Sequence, residues 1–175
     1  MEVEKNIKSV VGNRMKKILT LCVPYKNKAV LLGMKKRGFG EGRWNGFGGK
    51  INKNESIEEA AKRELSEEAG IKAKDMEKVG VIEFHFQDSE DILETHFFRI
   101  NDFQGELIES EEMKPQWFNE DEIPFNDMWP DDKFWMPLFL ENKKFKGYFL
   151  FDRPSDTNYS SQIIDQKLEE VKKVE

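Results

Sequence analysis

Cysteine is almost missing from this chain: Cys22 is the only one, so no intramolecular disulfide can form and a reducing compartment fits. Histidine is nearly as scarce. His85 and His96 have no second histidine at ligand spacing, which favours strand residues over metal ligands. Positive charge is in deficit, with 28 Lys and Arg against 34 Asp and Glu for a net charge of -6. That balance excludes a protein held to nucleic acid by general phosphate attraction, so no stable nucleic-acid binding is expected. Long apolar runs are missing as well. No segment approaches the roughly 18 residues of a membrane span, and the opening "MEVEKNIKSVVGNRMKK" has no apolar run of signal-peptide length. Glu2 and Glu4 also argue against a transit peptide. The expectation is an intracellular, cytoplasmic protein with nuclear or mitochondrial pools left open, no membrane partner, and a monomer.

With 175 residues, 38% of them hydrophobic, one domain with an ordinary core is expected, and no internal repeat suggests otherwise. "ILTLCVPY" (18–25) and "AVLLGMKK" (29–36) read as paired strands around a polar turn. "VGVIEFHF" (79–86) alternates, and "ETHFFRI" (94–100), "PQWF" (115–118) and "FKGYFLF" (145–151) supply further strands of β-branched and aromatic residues. "KFWMPLFLE" (133–141) reads as a short helix despite Pro137. The organisation is then an N-terminal extension (1–17), a domain of mixed α/β or α+β class (18–152), and a polar tail (153–175). In the tail Ile163, Ile164, Leu168 and Val171 stand at loose helical spacing.

A long helix is well bounded between Ser56, with Glu59 three residues on as a capping box, and the stop signal Gly70. On a 100° wheel Ile57, Ala60, Ala61 and Leu65 fall near about 0°, 300°, 40° and 80°, while Glu64, Glu67 and Glu68 fall near about 340°, 280° and 20°. Three acids therefore share the flank that ought to be buried. Glu58, Glu59, Lys62, Arg63 and Ser66 make up an ordinary solvated face. A desolvated carboxylate needs a cation or a proton, and spacing of i, i+3 and i+4 brings three within reach of one centre. Mg²⁺, with Mn²⁺ as a substitute, suits such donors because it takes few carboxylates and completes its shell with water and phosphate.

The segment from Gly49 to Ile71, "GKINKNESIEEAAKRELSEEAGI", fits G-x5-E-x7-R-E-U-x-E-E-x-G-U at Gly49, Glu55, Arg63, Glu64, Leu65, Glu67, Glu68, Gly70 and Ile71. It resembles the signature of the Nudix hydrolases. The resemblance implies an α/β/α sandwich around a mixed sheet and hydrolysis of a diphosphate linkage. It implies that Glu64, Glu67 and Glu68 bind metal together with the Gly48 carbonyl, and that Arg63 orients these acids through Glu55. Either Glu68 or an acid outside the box would take the proton of the attacking water. "LLGMKKRGFGEGRWNGFGGK" (31–50), "ESEEMKPQWF" (109–118), "IPFNDMWPDDKFW" (123–135) and "KKFKGYF" (143–149) extend the likeness over about residues 18–151. They resemble the MutT-like members that clear oxidised purine nucleoside triphosphates such as 8-oxo-dGTP and 2-hydroxy-dATP, releasing the monophosphate and pyrophosphate.

The residues of these segments can be read individually. Lys35, Lys36, Arg37 and Arg43 supply local positive charge, and Lys35 is the candidate phosphate contact. The turn Phe47, Gly48, Gly49 and Lys50 lets backbone approach a substrate closely, although Phe47 and Trp44 are as aromatics also packing candidates. In "WPDD" Trp129 could stack on a base with Pro130 beside it. Asp131 and Asp132 cannot both ionise easily in a dry pocket, so together they would offer one donor and one acceptor. The resemblance adds Asn45 as a helper in reading the base, Thr20, Phe84 and Leu93 as pocket walls, and Glu112 as an acid for a second metal or the water, with Glu111 the neighbour it could be confused with. Leu93 replaces a methionine expected there. Oxidised purine nucleoside triphosphates are the expected substrates, and a methylated purine triphosphate, a dinucleoside polyphosphate and ADP-ribose are the rivals. A non-catalytic nucleotide- or RNA-binding module would be expected to carry a degraded box, and this box is intact.

Overall fold

In the computed structural model, which describes residues 8–11, 14–153 and 161–175, neighbouring apolar residues on the central strands point to opposite sides of one sheet. Val23, Leu32 and Phe97 join one core; Cys22, Leu31 and Phe98 join the other. This is the two-residue period of a strand buried on both faces. The strands are β1 (Lys8–Val11), β2 (Arg14–Lys26), β3 (Ala29–Lys35), β4 (Trp44–Asn45), β5 (Lys72–Phe86), β6 (Ile92–Gln104), β7 (Met113–Asn119), β8 (Lys144–Phe151) and β9 (Ile163–Val171). Their order is β4-β3-β2-β6-β5-β8-β9, with β1 against β2 and β7 against β3. β2 runs parallel to β6 and β5 parallel to β8, while the other pairings are antiparallel, so the sheet is mixed.

A helix covers each face. α1 (Ile57–Ala69) starts at the expected capping box, where Ser56 and Glu59 satisfy each other's backbone N–H groups, and stops at Gly70 with φ 77°. Its Ala61, Leu65 and Ala69 recur every four residues and pack on Cys22, Phe98 and Ile100. Burying Leu65 alone stabilises the fold by about 1.5–3 kcal/mol. α2 (Asp132–Leu140) presents Trp135, Met136 and Phe139 to Phe97 and Phe145 on the other face. Arg99 fastens its far end by donating to the Phe139 carbonyl at 2.7 Å. The expected α/β/α sandwich around a mixed sheet is what forms.

Two boundaries differ from expectation. The sheet does not begin at Ile18: β2 starts at Arg14 and pairs with β1, so part of the proposed extension belongs to the sheet. Residues 1–7 and 12–13 of the proposed extension lie outside the described residues, as does the 154–160 part of the tail. The tail itself is not helical; Ile163–Val171 is a strand pairing with β8 from Ile163↔Phe151 to Val171↔Lys144. The reason is tertiary: the outer edge of β8 carries unpaired backbone groups, and satisfying them outweighs a loose 3.6-residue spacing.

Candidate active site

The glycine turn 46–50 lies alongside β2 as an extra backbone layer. Phe47 and Cys22 exchange both N–H···O bonds, at 2.8 and 2.6 Å, and Thr20 donates its N–H to the Gly49 carbonyl at 3.0 Å. The approach is so close that a β-carbon on Gly48 would stand 1.7 Å from the Thr20 carbonyl oxygen. Only glycine fits there. One consequence is that the Gly48 N–H faces α1, where it donates to Glu68 Oε1 at 2.8 Å.

The acids of α1 divide by position. Glu68, near the middle of the inner flank, is 5% exposed, and burial followed by the neighbouring Glu64 pushes its carboxyl up to about 8. Glu64 packs against Gly49 and is raised chiefly by burial, with Arg63 acting against the rise. Glu67 is turned outward, with 59% of its side chain exposed. This corrects the expectation that all three acids share the buried flank; at about 280° on the wheel Glu67 sits at the rim, where a long side chain reaches water. Arg63 is corrected in the opposite sense. Instead of lying on the solvated face, it grips Glu55 through two bonds of 2.7 and 3.0 Å and donates to Glu64 at 2.9 Å, to Glu67 at 3.3 Å and to the Lys50 carbonyl at 3.1 Å. Glu112, half-exposed, faces Lys35 at 3.5 Å and contributes to raising both Glu64 and Glu68.

Among the described residues no three acidic, histidine or cysteine side chains converge on one point. Glu64 and Glu67 are held by Arg63, and Glu112 by Lys35 and Arg37. The donor set nevertheless fits a hard divalent ion: the donors are carboxylate oxygens, and burial together with the charge of Glu64 raises the proton affinity of Glu68. A divalent cation would relieve that desolvated carboxylate.

From Glu68 and Glu112 a cleft of about 710 Å³ runs over the sheet to Asp131 and Asp132, while Glu64 and Glu67 do not line it. Of the expected site residues, Thr20, Lys35, Asn45, Gly48, Gly49, Lys50, Phe84, Leu93 and Trp129 also line it. Phe47 does not: it is fully buried in the core beneath α1 and acts as packing. Pro130 faces a separate groove beside β9. Both corrections arise because a turn or loop points successive residues to different sides, which spacing alone does not reveal. His85 and His96 lie on strands, as expected, and pair with Glu83 and Glu94.

Asp131 and Asp132 are 4% and 2% exposed, and the indole N–H of Trp135 donates to both, at 3.0 Å each. Burial raises both carboxyls, and Asp132 is raised further by the charge of Asp131. Asp131 also occupies the N-cap position of α2 without making a side-chain capping bond. A capping aspartate normally contributes about 1 kcal/mol. Here the carboxylate is turned into the cleft instead. The Thr20 hydroxyl is buried and makes no hydrogen bond to a described residue. Asn45 accepts the Gly46 N–H at 2.9 Å, which orients its amide.

The sequence reading missed Phe39, Phe86, Phe97, Phe151, Lys17 and Ser161, all of which line the cleft. Phe39 carried a signal: it is an aromatic between Gly38 and Gly40, both at positive φ, and it is 62% exposed against Trp129 with ring centres 5.1 Å apart. Lys17 was hidden in the assumed extension. Ser161 follows a segment that could not be assigned to the fold by pattern.

The sequence profile of the NUDIX domain matches residues 15–139. The chain is 50% identical over 150 residues to the mouse (Mus musculus) oxidized purine nucleoside triphosphate hydrolase, covering 85% of this chain and 96% of that protein. It is 48% identical over 155 residues to the zebrafish (Danio rerio) protein of the same name, covering 89% and 96%. Among solved structures, a MutT protein from Bacillus halodurans superposes with a TM-score of 0.74 at 27% identity, over 87% of this chain and 97% of that one.

Proposed function

The chain belongs to the Nudix family, and from that premise we propose that it hydrolyses oxidised purine nucleoside triphosphates, 8-oxo-dGTP and 2-hydroxy-dATP among them, to the monophosphate and pyrophosphate. Such a reaction would sanitise the nucleotide pool. The observation that carries the reading is the pair of buried aspartates under one indole N–H at one end of a cleft whose other end is the Glu68–Gly48 contact. A single proton on the pair gives one donor and one acceptor side by side, which matches the edge of an oxidised purine. The roughly 50% identity to the mouse and zebrafish enzymes supports the same substrate class.

Nudix hydrolases use a divalent metal, and Mg²⁺ is the ion we propose, with Mn²⁺ able to replace it. Glu64, Glu67, Glu68 and the Gly48 carbonyl would hold it, with Glu112 available for a second ion. The ion would neutralise phosphate oxygens and lower the pKa of a water aligned for in-line displacement. Arg63 fixes Glu64 and Glu67 from behind while leaving Glu68 to accept a proton. Lys35 would exchange Glu112 for a phosphate oxygen, and Trp129 would cover the base while Asn45 and Thr20 add polar contacts. Phe84 and Leu93 form apolar walls.

A monomer is supported by the outermost strand β9, which exposes Asp165, Lys167, Glu169 and Glu170; such charges discourage edge-to-edge pairing. No helix among the described residues is long and apolar enough to cross a membrane. Nucleotide pools of the cytoplasm, and of nucleus or mitochondria, are the proposed places of action. The test is pyrophosphate release from 8-oxo-dGTP, 2-hydroxy-dATP, dGTP, O6-methyl-dGTP, a dinucleoside polyphosphate and ADP-ribose, with and without Mg²⁺. Faster turnover of ADP-ribose or a dinucleoside polyphosphate than of any oxidised purine triphosphate would refute the proposal.

A further inference from the structure

The basic run Lys35, Lys36 and Arg37 at the end of β3 is met by an acidic turn just before β7. The turn continues the ladder between these strands: beyond the Lys35↔Met113 pair, the Lys36 N–H donates to the Glu112 carbonyl at 2.7 Å. Ser110 folds it, its hydroxyl accepting the N–H groups of Glu112 and Met113 at 3.3 and 3.0 Å. Side chains then pair across the two segments. Lys36 donates to Glu109 at 2.8 Å and to the Ser110 carbonyl at 2.9 Å. Lys35 stands 3.5 Å from Glu112, and Arg37 stands 3.4 Å from Glu111 and 3.7 Å from Glu112.

These pairs differ in where they stand. Lys35, Arg37 and Glu112 line the cleft, whereas Lys36, Glu109 and Glu111 do not. Lys35 and Glu112 also act on the buried Glu68 carboxyl, which puts this rim at the acid end of the cleft. Lys36 is the anchor of the turn, because it binds a backbone carbonyl as well as a carboxylate. The pair of Arg37 with Glu111 has no such anchor: the two side chains are 60% and 86% exposed, so it opens at little cost. A guanidinium engages carboxylate and phosphate through the same fork of N–H donors. Glu111, standing outside the cleft, therefore competes for Arg37 with any phosphate inside it.

We propose that Glu111 is a positioning residue acting through Arg37: it holds the guanidinium while the cleft is empty, yields it to the distal phosphates of a bound triphosphate, and takes it back so that pyrophosphate is not retained. This rests on the reading that the cleft hydrolyses nucleoside triphosphates. Reach decides which ligands feel the exchange. A triphosphate and pyrophosphate bring phosphate beyond the group next to the sugar, and a nucleoside monophosphate does not. Glu111 thus weakens the hold on distal phosphates without touching the nucleoside.

The experiment compares wild type, Glu111→Gln, Arg37→Gln and the double variant, with Glu109→Gln as control. It reads kcat and KM for 8-oxo-dGTP and the inhibition constants of inorganic pyrophosphate and 8-oxo-dGMP. Glu111→Gln should lower KM and the pyrophosphate constant together by about 1.5-fold to fivefold, the strength of one exposed ion pair, with kcat unchanged or lower and 8-oxo-dGMP unaffected. The effect should disappear in the Arg37→Gln background and fade at about 1 M salt, where the Debye length is about 3 Å. Glu109→Gln should match wild type, since Lys36 does not line the cleft. Unchanged constants in Glu111→Gln, an equal shift for 8-oxo-dGMP, the same shift in Glu109→Gln, or an effect that survives without Arg37 would each overturn the proposal. So would a fall of kcat by orders of magnitude in Glu111→Gln, which would make Glu111 a metal-binding acid. Wild type that releases no pyrophosphate from 8-oxo-dGTP would instead refute the proposed function.

Discussion

Replacing Gly48 with alanine tests how the site is assembled, because the obstacle is backbone and cannot swing aside. The new β-carbon would lie 1.7 Å from the Thr20 carbonyl oxygen, 2.5 Å from its carbon and 2.9 Å from the Leu21 Cα. Tolerated C···O contacts begin at about 3.3 Å, so the turn must retreat from β2 by about 1.6 Å. That movement breaks the Thr20–Gly49 bond of 3.0 Å and pulls the Gly48 N–H from Glu68, now at 2.8 Å. A neutral backbone bond contributes about 1 kcal/mol and one to a carboxylate about 1.5–3, so the loss should be about 2.5–4 kcal/mol. For a domain of this length that lowers Tm by about 5–15 °C. Activity should fall further, by about a hundredfold, since a displacement of this size misplaces catalytic groups. Gly38→Ala is the control: nothing lies within 4 Å of its β-carbon, and only its φ of 79° is strained, for a cost of about 1–2 kcal/mol. Thermal melting and pyrophosphate release on the two variants check this. Gly48→Ala with Tm within about 2 °C and kcat/KM within about threefold of wild type would refute the close-approach argument.

Other perturbations separate stability from chemistry. Glu68→Gln should lower kcat by about 10²–10⁴-fold, yet leave the metal-free melting temperature unchanged or higher, because a neutral amide relieves a buried acid and can still accept from Gly48; near-normal turnover would reject the role of Glu68. Trp135→Phe removes the N–H shared by Asp131 and Asp132 and should destabilise the fold by about 2–4 kcal/mol while reducing selectivity for 8-oxo-dGTP over dGTP; retained selectivity in a folded variant would argue against base reading by the pair. Glu94 is held down to about 2 by His96, with Lys16 assisting against burial, so its contribution is present above the unfolded carboxylate value and is lost as pH falls through the interval between about 4.5 and 2. With solvent screening that contribution is about 1–2 kcal/mol. Glu94→Gln should therefore lower the urea midpoint at pH 7 and converge with wild type near pH 2; an equal gap at both pH values would exclude the ionic origin.

The spacing of residues 49–71 determined α1, its two caps and the family, because capping and amphipathic period are local properties that short-range chemistry enforces. The strands around Leu31, Phe84, Phe97 and Phe149 were legible for the same reason, as was the pairing of Asp131 with Asp132 as candidate base readers. Tertiary structure alone decided the rest. Glu67 faces water while Glu68 is buried, Phe47 packs a core that Gly48 skirts, and the tail becomes a strand because the edge of β8 offers hydrogen bonds. Arg43 stacks on Trp129, far away in sequence. The physical reason is common to all of these: pattern encodes what each segment prefers by itself, whereas burial, field and backbone satisfaction depend on which distant segments become neighbours.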